Sequence, residues 1–71
     1  AYPDRALAEV NALVAAKPAD PYFLELQGQI LLESGRPRDA IAPLRLAVEK
    51  SRGQPLIAAL LGHALIATED P

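Results

Sequence analysis

Apolar residues recur along this chain three and four positions apart, in four blocks separated by proline, glycine and aspartate. The first block holds Ala6, Leu7, Val10, Leu13 and Val14. The second holds Leu24, Leu26, Ile30 and Leu31 around Gly28, and the third Ala40, Ile41, Leu44, Ala47 and Val48. On a helical backbone each set becomes one stripe turned toward a partner. The fourth block is different: Leu56, Ile57, Leu60, Leu61, Leu65 and Ile66 encircle the segment, and His63 breaks the apolar run. A helix that is apolar all round expects neighbours on all sides. The pattern predicts an all-α chain of about four helices, from near Pro3 to Lys17, Pro21 to Ser34, Pro37 to Ser51 and Pro55 to Thr68.

The punctuation supports these limits. Proline suits the first helical turn, where its missing N–H costs nothing, and Pro3, Pro21, Pro37 and Pro55 stand there. Asp4 sits at the positive end of the first helix dipole, and Asp20 is placed to cap the second helix. Pro18 ends the first helix, Gly35 should close the second in a left-handed conformation, and Gly53 should close the third, where Lys50 and Arg52 complement the dipole. Two residues conflict with the helical pattern. Gly28 in mid-helix costs about 1 kcal/mol against Ala, which close approach of a neighbouring helix would justify, at Gly62 as well. Pro43 leaves the Asp39 carbonyl without its donor, at a cost of about 3 kcal/mol. A bend is expected there, with the helix continuing because Ile41, Leu44 and Val48 still hold it down.

Shifted by 34 residues against itself, the chain is identical at nine of 37 overlapping positions. Pro3 falls on Pro37, Ala6 on Ala40, Pro21 on Pro55, Gly28 on Gly62 and Pro37 on Pro71. Such a period marks a stacked array of helical hairpins. Residues 21–54 then form one complete unit, residues 1–20 the second helix of a partial one, and residues 55–71 the first helix of another. Asp70 and Pro71 would cap and open the helix that covers the fourth. Without that cover an apolar face of the fourth helix stands open, and self-association through it is expected.

Composition narrows the chemistry. The chain has 71 residues, 51% of them hydrophobic and 4% aromatic, with no Trp, so its core must come from Leu, Ile, Val and Ala. A net charge of −2 provides no basic footprint for nucleic acid. No apolar run reaches the length of a membrane span, and no signal-peptide pattern opens the chain. The first residue is not Met, and a piece of a longer protein is expected. With no Cys and one His, no zinc site can be assembled. Glu25 and Glu33 lie eight residues apart on one helix, about 12 Å by the helical rise, too far for a glycosidase pair. Arg36, Arg38, Arg45 and Arg52 are scattered toward solvent. No catalytic residue and no cofactor is expected in this chain.

Leu24, Gly28, Leu31, Gly35, Ala40, Leu44 and Ala47 fall where the tetratricopeptide repeat family places its small and large positions, and Ala58, Leu61, Gly62 and Leu65 continue the pattern. Ala6, Val10, Leu13 and Pro18 supply the preceding repeat. The whole chain resembles that family, with Leu24 where Trp is commonest, Leu31 where Tyr is usual and Arg52 where Pro is usual. The resemblance implies an α-solenoid that binds proteins or peptides. The run from Pro21 to Ile41, PYFLELQGQILLESGRPRDAI, is similar to the C-terminal repeat region of bacterial periplasmic zinc metallopeptidases. That implies an accessory or substrate-capture part, with zinc and catalysis in the parent protein and a periplasmic location. The catalytic His-Glu-x-x-His helix is absent here.

Tyr22, Glu25, Gln29 and Glu33 form a polar stripe at spacings of three and four. By the resemblance they line the concave groove of the repeats, joined by Ala59, His63 and Ile66. Tyr22 would pack against a bound peptide and Gln29 would bond to its backbone, while two carboxylates favour a basic or neutral ligand. The stripe is equally what any solvated helix face requires, and His63, without the partners a ligand or base needs, reads first as an inert surface residue. Two other roles stay open: a stand-alone scaffold, or an oligomerisation element unrelated to any peptidase.

Overall fold

A computed structural model describes residues 2–69, with the side chains of residues 2 and 3 left aside. It contains four helices and, among the described residues, no strand: α1 (Tyr2–Ala16), α2 (Pro21–Glu33), α3 (Pro37–Lys50) and α4 (Pro55–Thr68). The proline at or next to each helix start and the short connections 17–20, 34–36 and 51–54 keep successive helices adjacent. α2 packs against α1, α3 and α4, and α3 packs against α4 as well. The expected cap at Asp70 and helix start at Pro71 lie outside the described residues.

The helix ends show how the sequence sets these limits. The Asp20 carboxylate accepts from Tyr22 N–H at 2.9 Å and caps α2, as expected. Gln54 does the same for α4, its Oε1 accepting from Leu56 N–H at 2.6 Å and Ile57 N–H at 3.0 Å. Gln54 stands one period after Asp20, so the capping place repeats even though the residue does not. α2 ends in a Schellman turn: Arg36 N–H reaches Leu31 C=O at 2.8 Å, Gly35 N–H reaches Leu32 C=O at 3.1 Å, and Gly35 has φ +73°.

α3 closes by the same pair of bonds, Gly53 N–H to Val48 C=O at 2.8 Å and Arg52 N–H to Glu49 C=O at 3.2 Å. Here the expectation needs correction. The residue in the left-handed closing position is Arg52, with φ +60°, and Gly53 follows it at φ +78°. As expected, α3 continues through Pro43.

The core gathers in two clusters. Leu31, Ala40, Leu44 and Ala64 form one, edged by Leu7, Leu32, Ile41, Leu60 and Leu61. Leu24, Ala47 and Ile57 form the other, edged by Val14 and Val48. Leu44 is the largest side chain with no exposure at all, and Ala40 and Ala47, one turn to either side, are equally covered. Small residues flanking one large one let helices approach closely. Gly28 completes the fit, since a Cβ built there would lie 2.5 Å from Leu44 Cδ2 and closer still to Cγ.

Two expectations fail. Leu13, assigned to the buried stripe of α1, is 42% exposed, because α1 packs against α2 through Leu7 and Val14 and Leu13 lies to one side. At Gly62 no neighbour comes close; an added Cβ would meet nothing within 4 Å. The residue that would lie over it by the period is position 78, outside the 71 residues of the sequence. The two glycines therefore share a register but not their surroundings.

Candidate functional site

α2 and α4 touch directly. Pro21 and Pro55 start the two helices one period apart, so Tyr22, Glu25 and Gln29 of α2 correspond to Leu56, Ala59 and His63 of α4. Between them runs an open groove of about 420 Å³, lined by Glu25, Gln29, Leu56, Ala59, Leu60 and His63.

Four of the seven expected residues are thus brought together: Glu25, Gln29, Ala59 and His63. Tyr22 lies outside this lining, 59% exposed, its ring 5.7 Å from that of Phe23 and tilted by 55°. Ile66, 69% exposed, and Glu33, also exposed, continue their stripes beyond the lining residues. Leu56 and Leu60 were missed. The signal for Leu56 was present, since it stands one period after Tyr22. Leu60, one of the apolar residues that encircle the fourth block, is shared, half-buried against the core cluster and open to the groove on its other side.

The groove joins an apolar floor to a few polar groups at its rim. Leu56, Ala59 and Leu60 supply the floor, and Glu25 the one formal charge among the lining residues. Glu25 has no ion-pair partner among the described residues, where the pair found is Arg36 to Asp39 at 3.0 Å on the surface. Its carboxylate and the Gln29 amide remain available to a ligand. A second polar contact, Gln27 Nε2 donating to Asn11 Oδ1 at 2.8 Å, ties α2 to α1 on another side.

Such an arrangement suits non-covalent capture. Among the described residues no polar or charged side chain is buried, and no group of three or more His, Cys, Asp or Glu is placed to hold a metal ion. No described helix is long and apolar enough to cross a membrane. The four arginines named above are all exposed. Comparison with family models, with curated proteins and with solved structures finds no match to this chain.

Proposed function

We propose that this chain is a protein-interaction module of tetratricopeptide type that holds a neutral or basic peptide segment between α2 and α4. The observation that carries this reading is the groove itself, in which an apolar floor lies on two helices of matching register beside Glu25, which has no ion-pair partner among the described residues. An apolar side chain of the ligand packs on Leu56, Ala59 and Leu60. Gln29 offers both a donor and an acceptor to its backbone, and Glu25 selects against a negative charge. A substrate-capturing place in a larger zinc metallopeptidase belongs to the same proposal and rests on the sequence resemblance alone.

The test is a set of short peptides that share one apolar residue and carry Lys, Gln or Glu beside it. Binding is followed by amide chemical shifts. The Lys and Gln peptides should perturb Glu25, Gln29, Ala59 and His63, and the Glu peptide should bind more weakly. Glu25→Lys should reverse the order. No binding by any peptide, or shifts confined to another face, would refute the groove.

A further inference from the structure

Among the described residues, Leu60 alone both lines the groove between α2 and α4 and packs against a core cluster. One side of it meets the group formed by Leu31, Ala40, Leu44 and Ala64, where close packing restricts side chains to defined rotamers. The other side meets whatever enters the groove. The two remaining apolar lining residues are held differently. Leu56 is 70% exposed and belongs to neither cluster, so its side chain changes rotamer freely when a ligand arrives. Ala59 is exposed and carries a single methyl with no rotamer to change.

Glu25, Gln29 and His63 supply the polar groups of the groove and bear on the charge and hydrogen bonding of a ligand. They do not set the bulk of the apolar side chain that it inserts. That limit falls to the part of the floor that is anchored from behind. A ligand side chain gains contact with each added methylene until it meets Leu60. A larger one must then push Leu60 against the core cluster or stay partly in water. Leu56, free to swing aside, imposes no such limit.

We propose that Leu60 is the specificity-determining residue of the groove and selects the size of the ligand's apolar side chain. This rests on the groove being a peptide site and adds the ligand feature that Glu25 and Gln29 leave open.

The experiment compares two short peptides, one with Lys beside Val and one with Lys beside Phe, and reads the ratio of their affinities from amide chemical-shift titrations. Two variants change the floor in opposite senses. Leu60→Ala deepens it, and Ala59→Leu fills it from an exposed position outside both core clusters. Relative to the parent chain, the Phe-to-Val ratio should rise about tenfold in Leu60→Ala and fall in Ala59→Leu. Leu56→Ala should weaken both peptides together. If the parent binds and Leu60→Ala weakens both peptides by one factor, Leu60 is structural only and the proposal is overturned while the groove stands. A ratio that moves as far in Leu56→Ala as in Leu60→Ala overturns it too. A parent chain that binds neither peptide refutes the groove and the role of Leu60 with it. Circular dichroism checks that each variant folds. If Leu60→Ala loses helicity, Leu60→Val takes its place and should move the ratio in the same direction.

Discussion

Leu44 of α3 sits directly over Gly28 of α2, in space that any side chain at position 28 would claim. Leu44 has no exposed surface. Gly28→Ala should therefore destabilise the fold by about 1–3 kcal/mol, although Ala is the better helix former. Gly62→Ala should act oppositely, gaining up to about 1 kcal/mol, because its added methyl meets open space. Urea unfolding of the two variants checks the contrast, and equal effects would contradict it.

Truncating Leu44 leaves the converse defect. Leu44→Ala should cost about 3–5 kcal/mol from lost burial and the cavity left behind. A core of this size supplies roughly that much stability. The variant should show no cooperative thermal transition by circular dichroism, whereas Leu13→Ala, at an exposed site, should retain one.

Arg52 holds a backbone conformation that costs a side-chain-bearing residue about 1 kcal/mol. Arg52→Gly should raise stability by about 0.5–1 kcal/mol, and Gly35→Ala, at the matching closure of α2, should lower it by about 1 kcal/mol. Melting temperatures moving in opposite directions would support this.

The helix starts offer a further comparison. Asp20→Ala and Gln54→Ala each remove an acceptor from two-residue-distant N–H groups, and each should cost about 1 kcal/mol. Hydrogen exchange should quicken at the first turn of α2 in the former and of α4 in the latter.

Within the groove, Leu56 should matter more than Tyr22. Leu56→Ser removes apolar floor worth about 1.5 kcal/mol, or roughly tenfold in affinity for a bound peptide. Tyr22→Ala, outside the lining residues, should change affinity less than that. Titration of both variants with the Lys peptide decides the order.

Much of this fold was legible in the sequence because the chain is punctuated by residues with narrow backbone habits. Pro21, Pro37 and Pro55 begin their helices, Asp20 caps one and Gly35 ends one, each through its own covalent geometry. Arg52 escaped notice because nothing in its side chain favours a left-handed backbone; the return of the chain from α3 to α4 imposes it. Leu13 was misassigned because helical spacing fixes which residues share a stripe but not how wide a neighbour covers it. In the groove, the polar half of the lining followed from spacing along α2. The apolar half did not, since Leu60 faces the core and the opening at once, a division that depends on how α4 is rotated against its partners.

Leu44, which fills the notch at Gly28, shares its core cluster with Ala64 of α4. A slip of α3 along α2 by one turn, about 5.4 Å, would drive Leu44 into Leu24 or Leu31, where no vacancy exists to admit it. The seam consequently has a single setting, like a peg with one hole. Gln29, a lining residue of the groove, is the next residue along α2, so the side that α2 offers to a ligand is backed by a side chain the ligand never meets.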